Sequence, residues 1–144
     1  MLAVSLCAST SFALRSRVVS TASTTSRCSS TRMVAEGLPK AVVFDLDGCL
    51  WYPDMYMLWG GGAPFELRSD GDLDDRNGQR VYLLGAVRDI LYELKTDARW
   101  EGAVVAVASC TDEPDWAQEC MHKFEVGPVG SGVMIEDVMQ LEEI

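Results

Sequence analysis

The stretch "VVFDLDGCLW", residues 42–51, decides the reading of this chain. Three apolar residues run into Asp45, a second carboxylate follows at Asp47, and Gly48 comes next. With Ala41 the apolar run spans 41–44 without a polar break. That is the pattern of a strand buried on both faces of a parallel sheet. Inside a regular strand, residues two apart share a face, so Asp45 and Asp47 would crowd each other. Gly48 lets the chain turn sharply and send the two carboxylates in different directions.

Outward from this stretch, the chain alternates strands and helices. "LWGGGAP", 58–64, reads as a loop. "PFELRSDGDLDDRNGQRVYL" holds two turn signals, Asp70-Gly71 and Asn77-Gly78, flanked by near-alternating apolar residues, which predicts a small hairpin. Leu84, Val87, Leu91 and Leu94 fall at helical spacing, predicting a helix over 84–95. "GAVVAVAS", 102–109, is a second buried strand ending in Ser109. Pro114 to Phe124 predicts a helix with proline in its first turn. "VMIEDVM" reads as a short strand or a helix start. Strand, loop, helix, strand, helix is the rhythm of an α/β domain. Ligands in such folds bind beyond the carboxyl ends of the strands, where Asp45, Asp47 and Ser109 all fall.

Composition limits the partners. The chain has 144 residues and a net charge of −10, unevenly spread. Residues 1–33 hold four arginines, 14 Ser/Thr and no acid; all 22 acidic residues lie beyond, against eight Lys/Arg, so 34–144 carries −14. A domain so charged is a poor binder of nucleic acid or anionic membrane, and no apolar run is long enough to span a bilayer. The basic, acid-free start predicts a transit peptide for an organelle, a plastid before a mitochondrion, followed by one domain over 34–144. Its alternatives are a weak signal peptide, or a disordered or spurious start that would leave the protein cytoplasmic. The five cysteines, Cys7, Cys28, Cys49, Cys110 and Cys120, form no C-x-x-C pair and are expected as free thiols.

Two carboxylates at a strand end suit phosphoryl transfer. Asp45 is placed to attack phosphorus and form an aspartyl-phosphate. Asp47 is placed to protonate the leaving oxygen and then deprotonate water. A hard cation on Asp45 and Asp47, most simply Mg2+, would relieve repulsion between the nucleophile and a phosphate dianion. Backbone N–H groups of the turn at Leu46 and Asp47 would cradle phosphate oxygens, and the Ser109 hydroxyl would bind another. Against this stand the bland readings: D-x-D-G occurs in surface turns and calcium loops, and a serine often simply ends a strand.

"FDLDGCLW" resembles the first motif, D-x-D-x-[TV], of the haloacid dehalogenase superfamily, with Cys49 in the last position. Leu50-Trp51, the hairpin "DDRNGQRVYL" and "ASCT" at 108–111 resemble the magnesium-dependent phosphatase branch. The resemblance covers about 38–144. It implies a Rossmann-like parallel sheet, incomplete at the C-terminus, with a flap over about 54–83. It further implies a monomeric Mg2+-dependent phosphatase acting on aryl or protein-tyrosine phosphates, or on phosphorylated sugars and glycated amines. Trp51 would shape the substrate mouth, and Cys110 stands where the branch places a phosphate-binding arginine. The superfamily's later lysine and acidic pair would fall beyond Ile144. Lys123 and Glu136-Asp137 come too early to replace them. The expectation is therefore a truncated chain with little activity, the alternative function being a catalytically dead binding module. His122, on the last predicted helix, is expected at the surface.

Overall fold

The computed structural model describes residues 37–144; the predicted transit peptide over 1–33 lies outside them. The described residues belong to one compact unit. Among them no helix is long and apolar enough to cross a membrane.

The central layer is a parallel sheet of three strands, β1 (Ala41–Phe44), β6 (Val104–Ala108) and β9 (Leu141–Glu143), in the order β1-β6-β9. Phe44 lies opposite Val107, so β1 and β6 end side by side. This is the mixed α/β architecture with a parallel sheet that the alternating pattern predicts. The strands are connected through α1 (Val87–Thr96), α2 (Pro114–Lys123) and the single turn α3 (Ile135–Val138). Val42 and Phe44 pack against a core cluster that holds Leu91 and Leu94 of α1 and Val105 and Val107 of β6.

The opposite face corrects the expectation of a strand buried on both sides. Val43 is 61% exposed and Leu141 64% exposed. Pairing in register puts Val43 and Ala41 on the same face as Val104, Ala106 and Leu141. A continuous apolar run therefore specifies a strand here without specifying cover on both faces. The strand order moves one way across the sheet. Right-handed crossovers then place successive helices on a single face.

The expected small hairpin is a larger element. β2 (Trp51–Tyr52), β3 (Glu66–Leu67), β4 (Leu73–Asp74) and β5 (Arg80–Leu83) form an antiparallel sheet in the order β2-β5-β4-β3. The Asp70-Gly71 turn joins β3 to β4, and Asn77-Gly78 joins β4 to β5. Trp51 and Tyr52 complete the sheet against Leu83 and Tyr82. The Leu84 N–H extends this ladder by donating to the Leu50 carbonyl at 2.9 Å, so α1 starts three residues later than its periodicity suggests.

The flap sheet is fastened to the helical layer. The Arg88 guanidinium, on α1, donates to the Gly71 carbonyl at 3.0 Å, to Asp72 Oδ1 at 3.1 Å and to the Glu125 carbonyl. Glu119 Oε1, on α2, accepts the Phe65 N–H at 2.9 Å, and Lys123 Nζ donates to the Phe65 carbonyl and to Glu119. Lys123 is thus engaged in holding the flap. β7 (Glu125–Val126) and β8 (Val133–Met134) form a small antiparallel pair after α2. "VMIEDVM" is both of its predicted alternatives in succession: β8, then α3.

The glycine-rich loop before β3 needs the absence of side chains. Gly62 has φ +76°, and a Cβ there would sit 2.3 Å from the Trp116 ring. Gly62→Ala combines left-handed strain of about 1–2 kcal/mol with a steric clash against that ring. A urea titration should show a loss of more than ~2 kcal/mol. An unchanged midpoint would mean that the loop does not rest on α2.

Candidate functional site at the carboxyl ends of β1 and β6

Asp45 directly follows β1 and Ser109 directly follows β6, so the two adjacent strands deliver both to one end of the sheet. The Ser109 N–H donates to the Glu143 carbonyl at 2.9 Å, which continues the β6–β9 ladder and sets the strand's end. Asp45 is exposed, and its Oδ1 accepts the Leu46 N–H at 2.8 Å. The chain then turns: the Leu46 carbonyl accepts from the N–H groups of Cys49 and Leu50 at 3.1 and 2.8 Å. Gly48, at φ +69°, makes the turn, a conformation that side chains rarely adopt. The two carboxylates have different partners: Asp45 accepts from its neighbour Leu46, whereas Asp47 accepts from Trp51 and Thr111.

Asp47 is half-buried and firmly held. Its Oδ1 accepts the Trp51 indole N–H at 2.7 Å, and its Oδ2 accepts the Thr111 hydroxyl at 3.0 Å. Thr111 Oγ1 in turn accepts the Glu113 N–H at 3.3 Å, just ahead of α2. Loop 45–51 and loop 109–113 are therefore joined through a side chain that bears on the site. Thr111 was not among the residues singled out from the sequence, although it closes the stretch "ASCT". Its hydroxyl is one position past the Cys110 that drew attention. Asp54 adds a further carboxylate near this turn, its Oδ1 3.4 Å from where a Cβ on Gly48 would lie.

Trp51 departs from its expected place. Its side chain is wholly buried and stacks on Phe124, ring centroids 6.0 Å apart and planes 19° apart. It reaches the site through its indole N–H and does not line an open mouth. The Leu46 side chain is likewise buried, and its N–H, expected to cradle a phosphate oxygen, donates instead to Asp45 Oδ1. Cys49 and Cys110 are exposed; Cys120 is buried inside α2, and burial pushes its thiol pKa up, which leaves it protonated. His122 is exposed, as expected, its Nδ1 against the Gln118 carbonyl and its Nε2 2.8 Å from Glu136. Asp137 Oδ2 accepts the Met134 N–H at 2.9 Å. Glu136 and Asp137 thus serve the local structure around α3.

The donors available to a cation at this end are hard oxygens: the exposed Asp45 carboxylate and the oxygens of Asp47. That chemistry fits Mg2+. Among the described residues no group of three or more His, Cys, Asp or Glu side chains converges on a metal-sized site. Water and phosphate oxygens would complete the shell, as is usual for Mg2+.

Comparison with known proteins places the described region in a family. A profile described as acid phosphatase matches residues 37–144, the whole described region. The human protein named magnesium-dependent phosphatase 1 is 36% identical over 91 residues, 62% of this chain and 47% of its own length. The chain thus spans about half the length of that curated relative. Both findings agree with the haloacid dehalogenase resemblance carried by "FDLDGCLW" and "ASCT".

Proposed function

Because this chain belongs to the acid phosphatase family, we propose that it is a Mg2+-dependent phosphomonoesterase working through an aspartyl-phosphate on Asp45. The observation that carries the reading is the pair of carboxylates with opposite surroundings at the end of β1. Asp45 is exposed, with one oxygen held by the Leu46 N–H and the other without a hydrogen bond among the described residues. Asp47 is fixed by two donors two residues away, where a proton donor to the leaving oxygen is needed. As phosphorus bonds to Asp45, Asp47 hands its proton to the departing oxygen; it then takes a proton from the water that cleaves the acyl phosphate. Ser109, at the neighbouring strand end, binds a phosphate oxygen through its hydroxyl. Asp45 and Asp47 would hold Mg2+, which when bound would supply positive charge to offset that of the phosphate beside the carboxylates.

The substrates proposed are small phosphate monoesters: aryl and tyrosine phosphates, or phosphorylated sugars and glycated amines. Cys110 and Cys49, both exposed, supply no positive charge, so the proposed affinity for phosphate rests on the cation and on the Ser109 hydroxyl. The test is hydrolysis of para-nitrophenyl phosphate by the full chain, with Mg2+ and with chelator. Turnover should rise with Mg2+ and fall to background on chelation. Turnover that ignores the cation overturns the metal assignment. No turnover at saturating Mg2+ overturns the enzymatic reading in favour of a non-catalytic binding module.

A further inference from the structure

Resting on that reading, we propose that Trp59 is a specificity-determining residue, whose indole stacks on the ring of an aryl phosphate bound with its phosphorus at Asp45. The resemblance put the aromatic wall of the mouth at Trp51, but that ring is wholly buried. Trp59 is 85% exposed, the most exposed large apolar side chain among the described residues. Among those residues its indole makes no hydrogen bond and no ring contact. Tryptophan is highly buried on average, and its N–H usually has a partner. A ring bare of both is placed for something outside the fold.

The loop that carries Trp59 is anchored on two sides of the site. At its start, Asp54 Oδ1 lies 3.4 Å from where a Cβ on Gly48 would be, beside the turn that follows Asp45. At its end, Gly62 lies against the ring of Trp116, in the first turn of α2, just beyond Ser109 and Thr111. The Gly62 N–H donates to Asp75 Oδ2 at 3.1 Å, and a Cβ on Gly61 would fall 1.7 Å from the same oxygen. Residues 54–62 thus run from the turn after β1 to the helix start after β6. Between the anchors stands the tight turn Met55–Met57. The Met57 N–H donates to the Asp54 carbonyl at 2.9 Å, and the Leu58 N–H to the Met55 carbonyl at 3.1 Å. In so tight a turn, side chains three apart fall on one side. Met55 and Leu58 are buried; Tyr56 and Trp59 are exposed. The ring is therefore held in place before a substrate arrives, and stacking on it costs little further ordering.

The chemistry of the loop selects between the two substrate classes. From Met55 to Ala63, "MYMLWGGGA" has no charged side chain and a single hydroxyl, on Tyr56. The hydroxyls of a sugar need several hydrogen-bond partners, which this loop does not supply. An aryl ring needs an aromatic face, a contact worth about 2- to 12-fold in affinity.

Full-chain Trp59→Ala should raise KM for phenyl phosphate about 3- to 10-fold, with kcat little changed, and raise KM for glucose 6-phosphate far less. Trp59→Phe should recover most of the loss, because a benzene ring still stacks. Trp59→Ala should melt with the parent, since the side chain it removes lies almost wholly in solvent. An unchanged KM for phenyl phosphate, or an equal rise for both substrates, overturns the proposal.

A second readout needs no turnover. Phenylphosphonate, which has no ester bond to cleave, should in the presence of Mg2+ shield tryptophan fluorescence from acrylamide quenching. Methylphosphonate should not, and the difference between the two should vanish in Trp59→Ala. Equal shielding by both phosphonates, or a difference that survives in Trp59→Ala, overturns the proposal. The expected shielding without Asp45-dependent turnover would instead overturn the phosphatase reading and leave the aryl-binding role of Trp59 standing.

Discussion

Asp45→Asn is expected to lower Mg2+-dependent phosphate release by more than ~10^3-fold, since loss of a covalent nucleophile removes the reaction path itself. An amide oxygen carries no negative charge, and its electrons are delocalised into the C–N bond. The substitution should leave the fold intact. Asp45 is exposed, and among the described residues its side chain accepts only the Leu46 N–H, which the asparagine Oδ1 can still accept. A thermal melt superimposable on that of the parent, combined with turnover at background, is the expected pair of results. Retained turnover would remove Asp45 from the mechanism. A lowered melting temperature would show that the carboxylate also serves the structure.

Trp51→Ala should have the largest effect on stability. The side chain is completely buried, stacked on Phe124 and hydrogen-bonded to Asp47. It also belongs to β2, which closes the flap sheet against β5. Truncating a buried tryptophan costs about 3–5 kcal/mol. That is a large part of the 5–15 kcal/mol that holds an ordinary domain together. Chemical denaturation should show the loss directly. Trp51→Phe separates the two roles: it keeps most of the packing and removes only the donor to Asp47 Oδ1. It should recover most of the stability while the acid/base step stays impaired. If Trp51→Phe proves as unstable as Trp51→Ala, the hydrogen bond outweighs the packing and the burial account is wrong.

The flap shows how far local pattern carries. The two turns, Asp70-Gly71 and Asn77-Gly78, are where composition puts them, because each supplies the backbone freedom that a tight turn requires. The pairing of Trp51 and Tyr52 with β5 has no local signature. A two-residue strand becomes recognisable only when its partner, some 30 positions later, folds back on it. The same holds for β9. Leu141–Glu143 is exposed throughout and carries two charges, so no alternation or apolar run marks it. It is a strand because β6 offers it an unpaired edge.

What the chain's order of residues determined by itself is the chemistry at the end of β1. An apolar run stops at Asp45, and a glycine three positions on turns the backbone, so both carboxylates are brought to the strand end by local sequence, although one of the two donors to Asp47 comes from Thr111. The strands at 41–44 and 104–108 and the helices at 87–96 and 114–123 are equally local, because periodicity and an N-terminal proline need no distant partner. Only the tertiary structure decided which face of the sheet is covered. That depends on the hand of the crossovers rather than on the hydrophobicity of Val43. Only the tertiary structure, too, turned Trp51 from a presumed wall of the mouth into a buried donor. It also brought the Thr111 hydroxyl to Asp47. Contacts between positions 64 apart are set by how β1 and β6 pair, and that register is a property of the folded sheet, not of either segment.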